Sequence, residues 1–221
     1  MRIVRSLAVL GIAGSVTLLT ACSSGADKSA VEGIETPDGV ELTPPGTTLG
    51  FGETANVVVQ TLEDTPRTFW AIKGEELYDV SVDEAVANAG GDVVDDQDTV
   101  DHFICAPYTL TFLGTEDPSG FKYPDSADLP DLGLLGDDNR MANSIIGGGG
   151  SDACGIHDSE SASTQVEDLE VGREYRGAEI SFIEKDAGDD GVEATRLRFA
   201  YDVATVPELQ DGSENKEVLW K

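Results

Sequence analysis

FICAPYTLTFLG, residues 103–114, alternates Tyr108, Leu110 and Phe112 with Thr109 and Thr111 and stops at Gly114. A period of two sends the three large side chains to one face and the threonines to the other, the pattern of a half-buried β-strand. The same period recurs on both sides of it. In TANVVVQTL (54–62), Ala55, Val57, Val59 and Thr61 share a face while Val58 and Leu62 take the other, and ELYDVSVD (76–83) places Tyr78, Val80 and Val82 together. YRGAEISFIEKDAGDDGVEATRLRFAYDV (175–203) reads as a hairpin: Ile180 and Phe182 point inward, the acidic glycine turn Asp186 to Gly191 reverses the chain, and Leu197, Phe199 and Tyr201 return with Arg196 and Arg198 outward. EVLWK (217–221) is a last short strand with Val218 and Trp220 inward. Only VDEAVANAG (82–90) predicts a short helix.

The N-terminus has a different character. Arg2 and Arg5 precede a charge-free apolar stretch, Leu7 to Leu19, and then Thr20-Ala21-Cys22, the layout of a secretory signal. Thirteen residues of helix rise about 20 Å, less than the hydrocarbon core of a bilayer, which argues against a permanent span. The quartet Leu19-Thr20-Ala21-Cys22 resembles the lipobox of bacterial lipoproteins. That resemblance implies a diacylglyceryl group on the Cys22 sulfur, removal of residues 1–21, and a chain held to the membrane by its lipid anchor. The competing reading is ordinary secretion with cleavage after Ala26 and loss of Cys22. Residues 22–45, rich in Gly, Pro, Ser and acids, read as a flexible acidic tether, which leaves 46–221 as one folded domain.

The chain carries 43 acidic against 14 basic residues; removing 1–21 takes two arginines and no acid, leaving a formal charge of −31. Such a surface repels phosphate backbones, and no basic patch with interleaved aromatics counters it, so nucleic-acid binding is excluded as a function class. Three cysteines are an odd number for an exported chain. With Cys22 assigned to lipid, Cys105 and Cys154 remain, and outside the cytoplasm such a pair is expected to form a disulfide.

Short strands, glycine turns and one long-range cysteine pair predict an all-β fold, an antiparallel β-sandwich, with 88–101 and 114–153 as long acidic surface loops. The order PPGTTLGFGETANVVV, CAPYTLTFLG, a second Cys, LEVGREYRGAEISFIEKD, LRFAYD and a terminal VLW resembles the immunoglobulin-like, telokin-like extracellular domains of actinobacterial cell-envelope lipoproteins. The resemblance implies an immunoglobulin-like sandwich over most of 46–221 and brings no catalytic signature with it.

Candidate chemistry is sparse. Both histidines lie three residues from a cysteine, as His102-x-x-Cys105 and Cys154-x-x-His157. On neighbouring antiparallel strands with the cysteines opposite each other, the histidines would also face each other, on the other side of the sheet from the sulfurs. A His102/His157 pair with Asp101 and Asp158 nearby is therefore a candidate zinc or copper site, whereas a Cys2His2 zinc site is disfavoured. GGGGSDACG (147–155) has Ser151 but lacks the last glycine of a nucleophile elbow, and it lacks the Lys-Ser/Thr ending of a phosphate loop. DAGDDG (186–191) misses the EF-hand spacing at Gly188. Acidic pairs such as Asp95-Asp96 and Asp137-Asp138 read as solvated faces, since adjacent acids are common in so acidic a chain. The expected function is a membrane-anchored, non-enzymatic binding or structural module without a cofactor, meeting a protein or glycan partner. The alternative is a metal- or cation-binding envelope protein.

Overall fold

The computed structural model describes residues 33–145, 150–186, 188, 191–209 and 216–221; the leader with Cys22 lies outside them. The strands are β1 (Thr48–Leu49), β2 (Thr54–Val59), β3 (Thr68–Gly74), β4 (Tyr78–Ser81), β5 (Val100–Thr115), β6 (Leu132–Leu135), β7 (Glu174–Glu184), β8 (Arg196–Ala200) and β9 (Glu217–Trp220). Helix α1 (Val82–Ala89) joins β4 to β5, and the single turn α2 (Gly150–Ala153) precedes β7. The fold is mostly β, in two sheets. One has the order β1-β9-β8-β6; the other runs β2-β3-β5, with β4 following β3 along one edge of β5 and β7 along the opposite edge. All ladders are antiparallel except β1 with β9.

Strand β5 is walled in on both faces, and Phe103 through Pro107 are all buried. Ile104, Ala106, Leu110 and Phe112 enter the core between the sheets, beside Val57, Trp70, Ile72, Leu197, Phe199, Val218 and Trp220. Phe103 and Cys105 enter a second core with Val80, Ala85, Ala153, Ile156 and Ile180, under α1 and α2. A proline in a central strand would ordinarily cost a ladder hydrogen bond. Pro107 escapes because its carbonyl accepts from the Glu75 N–H (2.9 Å), at the break between β3 and β4, so its missing N–H falls where no strand is paired.

Two tryptophans key the elements together. Trp220 is fully buried and donates from Nε1 to the Glu53 carbonyl (2.9 Å); a Cβ on Gly74 would meet its Cγ at 2.9 Å and Leu197 Cδ2 at 3.1 Å. The sheets close on each other there only because residue 74 has no side chain. Trp70 donates to Thr68 Oγ1 (3.0 Å) and to the Asp128 carbonyl (3.1 Å), while the Asp128 carboxylate accepts from Thr61 N (2.6 Å) and Thr65 Oγ1 (2.8 Å).

Several expectations need correction. Residues 114–153 are not a surface loop: they contribute β6, the core residues Ala127, Leu132, Leu134 and Ala142, and the Asp128 clamp. Acidic composition hid short apolar pieces that neighbouring strands complete. The stretch 88–101 likewise ends in β5, with Val100 buried. Strands β7 and β8 do not form a hairpin, because β7 pairs with β5 and β8 with β6 and β9; the acidic connection crosses between sheets. Val82 opens α1 instead of extending β4, since Ser81 Oγ caps the Glu84 N–H (3.3 Å) and Gly90 ends the helix at φ 71°. Arg196 is buried on the face away from the main core, donating to Asn139 Oδ1 (2.8 Å) and to the Gly136 carbonyl. Finally, the body begins before Gly46. Leu42 is in the main core, Ile34 and Val40 pack against it, and Thr43 exchanges backbone and hydroxyl bonds with Asn56 on the free edge of β2 (2.8 and 3.0 Å). An unpaired edge recruits this segment out of the expected tether.

Gly74→Ala should destabilise the protein by about 1–3 kcal/mol through overpacking, whereas Gly91→Ala, where an added Cβ meets nothing within 4 Å, should change stability by less than about 0.5 kcal/mol in urea unfolding.

Candidate functional site

The cysteines are brought together: Cys105 and Cys154 form a disulfide across 49 residues, with Cα atoms 5.8 Å apart. The bond joins β5 to the residue just after α2, not one sheet to the other and not strand to strand. Residues opposite Cys105 in the ladders are Tyr78 and Ile180. Three further contacts hold the same roof. Tyr78 donates to the Cys154 carbonyl (2.8 Å), Asn88 Nδ2 donates to the Ala153 carbonyl (3.2 Å), and Ser151 Oγ both accepts from Ala178 N (3.1 Å) and donates to Ala178 O (3.3 Å). Ser151 thus satisfies the outer edge of β7 at Ala178.

The histidine pair expected from the mirror spacing is not assembled. Because Cys154 follows a helical turn, no strand register relates the two histidines. His102 lies opposite Ser81 and Ile183 in the ladders. Its Nδ1 is 2.9 Å from Asp101 Oδ2 and its Nε2 is 4.0 Å from Asp79 Oδ1. His157 is exposed and precedes the 3-10 turn Asp158–Glu160; its backbone N–H donates to Glu160 Oε1 (3.3 Å), and its ring Nδ1 lies 3.7 Å from Asp152 rather than beside Asp158. Among the described residues no group of three or more His, Cys, Asp or Glu side chains is arranged to hold a metal ion. Part of the DAGDDG turn, at 187, 189 and 190, lies outside the described residues.

Among the described residues, polar surface hollows include one at Asp137, Asp138, Arg140 and Glu193. Two others are also lined by carboxylates. Asp92, Asp95, Asp96 and Asp98 line one of about 210 Å³ in the loop between α1 and β5. A second, of about 410 Å³, lies where residues 35–37 cross the end of β5; Phe69 and Pro37 supply apolar surface, and Glu35, Glu116 and Asp117 supply carboxylates. Backbone and hydroxyl donors of Ser119 hold the Asp117 carboxyl below its usual range, and Glu116 accepts from the Arg67 N–H (2.8 Å).

One ionisable cluster was not legible in the sequence. Glu179 pairs with Ala106 in the ladder and therefore points to the inter-sheet side of β7, where burial, reinforced by the negative charge of Asp131, pushes its carboxyl up to about 7. Tyr108, also raised by burial and by Glu179, lies over Gly177, where an added Cβ would meet its Cζ at 2.5 Å. The inward pair Ile180 and Phe182 marks only the roofed face of β7, so period two assigns Glu179 to solvent.

No family model, no curated protein and no solved structure matches this chain. Among the described residues, no helix is long and apolar enough to cross a membrane.

Removing the disulfide by Cys105→Ala with Cys154→Ala should cost about 4 kcal/mol on the chain-entropy account of a loop this long; equal denaturation midpoints of variant and oxidised parent would contradict a stabilising role.

Proposed function

We propose that this protein is a membrane-anchored extracytoplasmic lipoprotein whose immunoglobulin-like β-sandwich serves as a non-enzymatic binding or structural module of the cell envelope. The observation that carries the reading is the pairing of Cys105 with Cys154. It leaves Cys22, at the lipobox-like position, as the remaining thiol of three. A disulfide fits an oxidising compartment, and two acyl chains on Cys22 would hold the body at a bilayer surface despite a net charge that anionic headgroups repel. Two sheets over one shared core, antiparallel in every ladder but β1 with β9, support the sandwich. The disulfide departs from the usual sheet-to-sheet bridge of that fold by binding a helical roof instead. The hollow at Glu35, Pro37, Glu116 and Asp117, floored by the buried Phe69, suits a partner that presents a lysine or arginine, with Pro37 against the stem and carboxylates for the charge.

A second reading, cation binding, is favoured by the four aspartates around one hollow in the loop after α1. The two readings separate cleanly in measurement. Metabolic labelling with a fatty-acid analogue is expected to mark the wild type and not Cys22→Ser, and the variant should leave the membrane fraction; equal labelling would remove the anchor. Calcium, zinc or copper at millimolar concentration should leave the thermal midpoint where EDTA leaves it; a rise of several degrees would favour the cation reading.

A further inference from the structure

We propose that Glu179 is a proton-operated latch in the seam between the two sheets: protonated, its side chain lets the start of β6 close against β7, and ionised, it repels Asp131 and loosens that seam. The placement comes from the fold and is independent of any anchor. Glu179 stands between Gly177 and Ser181 on the inter-sheet side of β7, and both of those neighbours are buried. Among the described residues no hydrogen-bond donor or cation is recorded for its carboxyl. Strand β6 lies against β7 along this edge, and Asp131 is the residue that leads into β6.

The ionisable groups on each packed element fix the sign. From β5 comes Tyr108, a neutral phenol whose own proton is held more tightly by the burial it shares and by Glu179. From the entry to β6 comes Asp131, an acid. The nearest cation along β7, Arg176, lies opposite Thr109 on the roofed face and is engaged by Glu160 at 3.0 Å. Asp152, 3.7 Å from the His157 ring, and Asp158 belong to α2 and the 3-10 turn, which pack against β7. A half-buried carboxyl between an acid and a phenol, with no cation beside it among the described residues, keeps its proton rather than its charge.

A raised carboxyl contributes its stabilisation in full below the unfolded value near 4.5, loses it as pH rises toward about 7, and changes nothing further above. Glu179→Gln imitates the protonated form. The ratio of the variant's folding constant to that of the wild type is expected to climb on the order of a hundredfold between pH 4.5 and 8, since each pH step within the window is worth a factor of ten. Urea unfolding at the two pH values reads this ratio, and a change under threefold would overturn the latch. Carbon-13 NMR of glutamate-labelled wild type supplies an independent readout that survives a variant that fails to fold. One carboxyl should titrate well above the others, near neutrality, and shift to lower pH in Asp131→Asn. Either the absence of any glutamate titrating above pH 6, or a midpoint unmoved in Asp131→Asn, would overturn the proposal.

Discussion

Everything in this fold leans on β5 being a wall shared by two cores. A strand covered on one side needs one partner layer; a strand covered on both must recruit two, and the chain supplies them from opposite directions. The sheet of β1, β9, β8 and β6 covers one face, and the roof of α1 and α2 covers the other. Burying a large apolar side chain is worth about 1.5–3 kcal/mol relative to leaving it in water. The five consecutive buried residues from Phe103 to Pro107 therefore concentrate much of the driving force into one segment.

That arrangement explains where the disulfide sits. The main core is large, includes both tryptophans and closes by packing and by the hydrogen bonds of Trp70, Trp220 and Asp128. The roof is one two-turn helix and one single turn on a small apolar patch, too little to hold itself by propensity or burial. The Cys105–Cys154 bond, with Tyr78, Asn88 and Ser151 beside it, fastens the weaker layer to the stronger one. The acidic surface has a different logic. Many carboxylates stand in water; Asp128 is clamped by Thr61 and Thr65, and Glu179 lies half-buried on the inter-sheet face of β7 with no cation among the described residues to receive it.

Period two in FICAPYTLTFLG, TANVVVQTL and EVLWK was enough to place β5, β2 and β9 and to send Val218 and Trp220 inward. The helix at 82–89 was legible from its spacing, with Ser81 and Gly90 standing ready as caps. Long-range partners were not legible. Whether β7 and β8 form a hairpin or join different sheets is decided by what each finds to pair with, and β7 found β5 across most of its length. The same holds for β6 and for Leu42: a few apolar residues amid acids look like loop until a free edge or an open core completes them. The histidine pairing failed because α2 is a helical turn, and parity along a strand says nothing across a helix. Glu179 was hidden because a strand with two covered faces has no solvent side, and alternation cannot report that.

Amide hydrogen exchange, with the disulfide intact and then reduced, tests the two-core wall most directly. The account predicts slowest exchange at Ile104 to Ala106 in the oxidised protein. On reduction, protection should vanish across 80–89 and 150–156 while β3, β8 and β9 keep theirs. Exchange that rises evenly through both sheets, or a β5 that exchanges as fast as α1 before reduction, would contradict it.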